Sequence, residues 1–440
     1  MRSRIALVLH RLRGSETGTA AWLAAAMIAN NLIALGASVA FARLLSDYGA
    51  LAALISYLII LTVAGQALQV ATAREGVLGR LGTGDDLLHT LERWWRTLAW
   101  FTAAATVASI LARHLIASVV GVAHDPGGSW AAAAGIPAGC LYLELSVLRG
   151  ALQSVGDFAG VGLSLIGEQA VRLLVGVTLA AIGLGVAGAY LGSLAAYVGM
   201  SGYCAVRVYR RVAGADHRRW GPGDAGRAAL GFGRHVRHAA IPILGLAVIQ
   251  LLQNVDLIIA KHRMSNRVDS SYAVAAVAAK VLIWVAMGAS FHLVPETSRR
   301  AQAGQGTRAV LGRSVAIIAV CALPCLAIFA VGAHPLLSLV FGARRAIASS
   351  SLLPLGAAFT VLAGTYLAVQ YMLALRRVWF LLALAIVAAL EPVLLLDASH
   401  RPAAFAAVVL AVQTLGAVLA FTLALLPGPR RPPAFQNRSS

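Results

Sequence analysis

Twelve apolar runs, each long enough to cross a bilayer, follow one another through 440 residues, and no stretch of even 35 residues lies clear of them. A hydrocarbon core of about 30 Å takes roughly 20 apolar residues per helix. Inside it every backbone polar group must be satisfied within the segment, so each run predicts a helix. The spans are expected at 18–43, 48–72, 97–121, 129–151, 158–182, 185–206, 238–260, 270–294, 312–333, 348–374, 377–397 and 402–426. Composition agrees. Charged residues make up 12% of the chain, against about 25% in soluble domains. The fold class is therefore an all-α polytopic membrane protein, which leaves no room for a large soluble catalytic domain.

A net charge of +19 would point to nucleic acid in a soluble protein. In a membrane protein, basic residues instead collect in cytoplasmic loops. With the N-terminus placed inside, the inner segments hold 26 Arg and Lys and the outer ones 7. Both termini are expected in the cytoplasm, and no nucleic-acid partner is expected. The longest inner segment, 207–237, divides the chain into an N-terminal lobe (1–206, spans one to six) and a C-terminal lobe (238–426, spans seven to twelve). A cytoplasmic tail, 427–440, follows. An even number of spans per half keeps the orientation of a repeat, so the halves are expected to be related about the membrane normal. Thr83 to Asp86 has capping-box spacing ahead of Leu87, Leu88, Leu91, Trp94 and Trp95, which predicts a short interfacial helix before the third span.

Enzyme signatures are missing. The chain has no phosphate-cradling GxxxxGK[ST], no HExxH, no GxSxG and no acidic pair on a sizeable loop, and its four cysteines lack metal spacing. No enzymatic activity and no cofactor are expected. What remains is charge inside the membrane, where each ionisable group costs about 2.5–3.5 kcal/mol even on the lenient insertion scale. Glu168 and Arg172, one turn apart on the fifth span, are expected to pair within the helix. The seventh span carries Gln250, Gln253, Asn254 and Asp256; such a stripe needs a water-filled cavity or an interhelical network. Lys280 on the eighth span is expected to point inward, Arg113 to snorkel from the end of the third, and Glu144 on the fourth to find its partner on another helix.

Four pieces of sequence carry a resemblance. They are Ala42-Arg43-Leu44-Leu45-Ser46-Asp47-Tyr48-Gly49 after the first span and Leu148 to Gln153 at the end of the fourth. Asn254-Val255-Asp256 follows, running on to Lys261, Tyr272 and Lys280, and then Pro335 to Gly342 before the tenth span. In this order within twelve spans, the chain resembles the polysaccharide-flippase branch of the multidrug/oligosaccharidyl-lipid/polysaccharide exporter superfamily. The resemblance implies two six-helix lobes around a central cavity, alternating access, and drive by ion gradients or membrane potential. It further implies flipping of undecaprenyl-diphosphate-linked oligosaccharides across a bacterial plasma membrane, beside a polysaccharide polymerase or glycosyltransferases. Arg172, Lys280, Gln253, Asn254 and Arg113 would then face the anionic glycolipid, and Glu168, Asp256 and Glu144 would be the ion-responsive groups. Two alternatives remain open: a drug/cation antiporter of the same superfamily, for which Glu144 speaks, and a non-transporting scaffold in cell-envelope assembly.

Overall fold

A computed structural model describes residues 16–125, 127–213, 231–303, 305–375 and 377–426. The expected tail, most of the basic linker, and the arginines at 2, 4, 11, 13 and 376 lie outside the described residues. The described chain is helical throughout: α1 Glu16–Leu44, α2 Tyr48–Val77, α3 Asp85–Leu111, α4 Arg113–Val120, α5 Gly128–Ser154, α6 Phe158–Leu179, α7 Gly185–Ala213, α8 Phe232–Arg263, α9 Asn266–Gln302, α10 Arg308–Phe341, α11 Leu352–Ala374, α12 Phe380–Asp397 and α13 Pro402–Leu425.

Ten helical segments are long and apolar enough to cross a membrane, or eleven with α3 and α4 taken as one span bent by 77°. The longest of them, Phe158–Ala213, is itself two helices, which brings the described spans to the expected twelve. The chain reverses at Gly183 (φ 106°) and Gly185 (φ 52°), left-handed backbone that favours glycine. After this turn α6 and α7 run antiparallel with their backbones close together. A Cβ at Gly192 would come within 2.7 Å of the Arg172 carbonyl and of the Gly176 backbone. Small residues at such seams provide the van der Waals contact that holds helices together in lipid, where the hydrophobic effect offers little.

Helix starts follow local chemistry. Asp47 caps α2 by accepting the Ala50 amide at 3.0 Å, and Asp157 caps α6 by accepting that of Gly160 at 3.2 Å. Pro402 opens α13, where its missing N–H costs nothing. The interfacial helix is a correction. Leu87 to Trp95 continue without interruption into the third span as α3, and its cap, Gly84, has no side chain with which to set a separate element. The bend between α3 and α4 falls at Ala112, after which α4 turns away.

Contacts sort the helices into two groups. In one, α1 packs on α6, α2 on α5, α3 and α7 on α5, and α6 on α7. In the other, α9 packs on α10 and α11, α11 on α13, and α12 on α8 and α13. The two groups meet through α2 and α8, which lie antiparallel, with α1 and α9 beside them. Asp47 stands at one end of this seam and His235 at the other; the two faces of the molecule are named after them below. From Tyr48 to Thr72, α2 covers about 36 Å at 1.5 Å per residue, comparable to the hydrocarbon thickness.

Candidate functional site

Both faces of the lobe interface are latched. On the Asp47 face, Lys261 Nζ of α8 lies 2.6 Å from Asp47 Oδ2, and the Gly49 amide donates to Ser270 Oγ at 3.0 Å. Each lobe also gives the other an arginine. Arg43 Nη2 donates to the Leu339 and Val340 carbonyls, both at 2.8 Å. Arg345 donates to the carbonyls of Ala42, Leu45 and Ser46. On the His235 face, His235 Nε2 is 3.0 Å from Thr72 Oγ1, and its ring stacks on Trp94 at 4.7 Å. Trp94 also meets Phe232 edge-on at 5.6 Å. The two lobes are thus in contact at both faces in this conformation.

Within the first group of helices, the fully buried Arg149 of α5 is the centre of the polar network. Its Nη2 pairs with Glu168 Oε2 of α6 at 2.9 Å, and its Nε and Nη2 donate to the Ser164 hydroxyl and carbonyl, each at 2.8 Å. The expected pair between Glu168 and Arg172 is therefore corrected: Glu168 reaches across to α5. Helix packing brings the Arg149 guanidinium to 2.9 Å from Glu168, where a charge-assisted hydrogen bond offsets the burial of both groups. By sequence Arg149 counts among the loop cations, being only two residues from the end of its run, yet it points into the protein. Released from Glu168, the half-buried Arg172 donates from Nη2 to the Tyr197 hydroxyl at 3.0 Å and lies 5.8 Å from that ring. Tyr142 packs edge-on against Tyr197 at 5.2 Å. Arg172 Nε, Arg149 Nη1 and the Tyr190 hydroxyl are buried without a hydrogen-bond partner.

In the second group, the polar stripe of α8 forms an interhelical network. Lys280 Nζ donates to Asn254 Oδ1 at 3.1 Å and lies 5.5 Å from the Phe359 ring. Asn254 Nδ2 donates to the Gln250 carbonyl at 2.9 Å, and the Tyr272 hydroxyl donates to Asp256 Oδ2 at 3.2 Å. Glu391, fully buried on α12, completes it. Gln413 Nε2 of α13 lies 3.3 Å from Glu391 Oε1 and donates to the Leu252 carbonyl at 2.8 Å. Lys280 feels both Asp256 and Glu391. Gln253 is buried on the same helix.

Two expected site residues stand apart. Arg113 opens α4 with its guanidinium 4.6 Å from the centre of the Trp130 ring, a rim position that serves the bend rather than the interior. Glu144 accepts a hydrogen bond from Thr102 of α3 at 3.2 Å, on the side of α5 opposite Tyr142 and Ser146. Sequence reasoning missed Arg149, Glu391 and Gln413. The signal for Glu391 was present: a carboxylate in the middle of the apolar run Phe380–Asp397.

On the His235 face, Asp157 ties α6 to α7. Arg207 donates to both its oxygens at 2.9 and 2.8 Å, and Arg211 joins at 3.3 Å. Burial alone would push this carboxyl up. The Arg207 hydrogen bonds, the Gly160 amide and Arg211 together carry it below its ordinary value.

No protein-family model and no curated protein matches the sequence. Solved structures do match. The lipid II flippase MurJ in an inward closed conformation superposes over 92% of this chain and 88% of its own, with a TM-score of 0.70 at 13% identity. A multidrug-resistance MATE-family transporter in an inward-facing conformation covers 90% and 93%, with a TM-score of 0.66 at 14% identity. A transporter from Pyrococcus furiosus, described as having a binding pocket of reversed polarity, covers 94% and 96%, with a TM-score of 0.55 at 14% identity. The fold is that of the MOP-superfamily transporters. Its two lobes are the two groups of helices described above.

Proposed function

We propose that this protein is a membrane transporter working by alternating access, and that its substrate is an anionic, lipid-linked oligosaccharide. The observation that carries this reading is Arg172. It is a half-buried guanidinium at mid-span with one N–H unused, in a lobe where Arg149 and Arg172 face a single carboxylate, Glu168. A diphosphate suits such a site, since charge-assisted hydrogen bonds from a guanidinium to phosphate are among the strongest available in a low dielectric. Tyr197 and Tyr142 beside it offer ring faces and edges for sugars. The similarity to a lipid II flippase supports a lipid-linked headgroup as cargo.

Lys280 is the weaker substrate ligand in this reading, because Asp256 and Glu391 already compensate it. Those two carboxylates are the better candidates for the ion-responsive part. Glu168 serves as the structural partner of Arg149, and Glu144 stands outside the centre. The excess of arginine in the inner segments supports a cytoplasmic His235 face with both termini inside, and a bacterial plasma membrane belongs to the same reading. Glycosyltransferases or a polymerase are the partners such a role requires. Depletion of the protein is expected to accumulate the lipid-linked intermediate on the inner leaflet. Arg172→Ala should reproduce that accumulation while inserting normally, and unchanged export by this variant would remove the anionic-substrate reading.

The acidic surplus of the second lobe favours a second reading, a drug/cation antiporter whose cation competes with Lys280. Dye efflux that is lost in Glu391→Gln but kept in Arg172→Ala would select it.

A further inference from the structure

On the Asp47 face three carboxylates share one ammonium. Lys261 Nζ lies 2.6 Å from Asp47 Oδ2 and 3.4 Å from Asp125 Oδ2, and it donates to Asn266 Oδ1 at 3.2 Å. The third carboxylate, Asp269 in the first turn of α9, is fully buried, and neither of its oxygens has a hydrogen-bond partner. It is turned onto the start of α2 in the other lobe, where a Cβ at Gly49 would fall on the carboxyl group itself. Two amides at the start of α2 are engaged elsewhere: Gly49 donates to Ser270 Oγ and Ala50 to Asp47 Oδ1.

The other charged groups around it are also engaged or turned away. Arg345 and Arg43 are bound to backbone carbonyls across the seam. Arg263 donates to the Ala398 carbonyl, and His262 is within hydrogen-bond distance of the Ser118 carbonyl. Arg267 and Arg344 are exposed. Asp269 thus feels Lys261 together with two competing carboxylates, Asp47 and Asp125. Burial pushes the Asp125 carboxyl up even with Lys261 beside it, so the single cation is already oversubscribed. A buried carboxylate with neither donor nor cation of its own does not remain charged. The positive end of the α2 dipole lessens that cost without supplying a hydrogen bond.

We propose that Asp269 is a proton-binding site at the lobe interface: the closed Asp47 face holds one proton on Asp269, and opening releases it. As the lobes part, water reaches the carboxyl group, its O–H bond breaks, and the proton passes to that water; no other bond changes. Closure is then favoured by acid on this face. Linkage of one proton limits the change in the closed-to-open ratio to about tenfold per pH unit. The inference rests on the lobe movement proposed above and not on the substrate.

The test uses the full chain in nanodiscs without substrate, with Cys140, Cys204, Cys321 and Cys325 replaced by alanine. Spin labels at the exposed Ser46 and Ser265 report the distance across the face. The short-distance population should grow as the pH falls from about 8 to 5. In Asp269→Asn it should stay high and flat. Asp125→Asn, which frees Lys261 toward Asp269, should move the midpoint to lower pH. A wild-type ratio that ignores pH, an Asp269→Asn variant that keeps the wild-type slope, or an unmoved midpoint in Asp125→Asn each overturns the site. A face that opens without regard to pH overturns only this inference, whereas one that never opens also removes the transport reading. A pH-dependent opening in a protein that exports no glycolipid supports the proton site by itself.

Discussion

The fifth span of each lobe carries one buried glutamate near its middle: Glu168 is the eleventh residue of α6 and Glu391 the twelfth of α12. Their surroundings are opposite. Glu168 is held by Arg149 at 2.9 Å, with Arg172 nearby, so cations are in excess. Glu391 shares Lys280 with Asp256 and takes its hydrogen bonds from Gln413, a neutral amide, so acid is in excess. Two lobes of one architecture therefore surround the corresponding glutamates with opposite charge surpluses. In the first lobe the acid is fixed and one guanidinium is held only by a neutral tyrosine; in the second the cation is fixed and the acids are shared.

The opposite charge surpluses of the two lobes set how strongly each substitution should act. Arg172→Ala should abolish export, read as inner-leaflet accumulation, because the first lobe then loses a guanidinium that no carboxylate holds; Lys280→Met should reduce export less. On stability the order differs. Arg149→Ala leaves Glu168 buried and unpartnered and should cost about 3–5 kcal/mol, seen as a lower melting temperature in detergent, with much of the loss recovered in Arg149→Ala/Glu168→Ala. Lys280→Met/Glu391→Gln should likewise melt above Lys280→Met, but with a smaller gap, since Asn254 and Gln413 still serve the network.

At the His235 face the lobes also differ in how helix ends are held. Asp157, an ion-paired cap, secures the first lobe. In the second, Arg377 donates to the carbonyls of Ala424 and Leu426 at 3.2 and 2.8 Å. Asp157→Ala should cost about 1–2 kcal/mol as a lost cap. Because the folded state holds this carboxyl below its ordinary value, its contribution is complete above about pH 4 and is lost as the pH falls through the folded value. Melting curves against pH should show that loss in the wild type and its absence in Asp157→Ala. The smallest effect is expected from Thr72→Val, which removes one hydrogen bond to His235 worth about 1 kcal/mol and should widen the His235 face in distance measurements across it.

Much of the fold was legible in the sequence because apolar runs of bilayer length leave few alternatives. The turns at Gly183–Gly185 and at Asp397–Pro402 fall where composition placed them. The candidate site was only half legible. Arg172, Asp256, Asn254 and Lys280 stand out as polar residues in apolar runs, and all four lie in the two polar centres. Their partners depend on which helices face one another, which no single helix encodes. Glu168 and Arg172 have ideal spacing for each other, yet the packing of α6 on α5 gives Glu168 to Arg149. Arg149 itself was disguised by its place near the end of a run, where an arginine ordinarily reaches water.

Arg43 and Arg345 close the Asp47 face by gripping main-chain oxygens rather than side chains. Such a clasp reads only where the backbone runs, so its hydrogen bonds do not depend on which side chains stand at residues 42, 45, 46, 339 and 340. It also involves no anionic partner, and ionic strength should loosen it far less than the neighbouring Lys261 pairs.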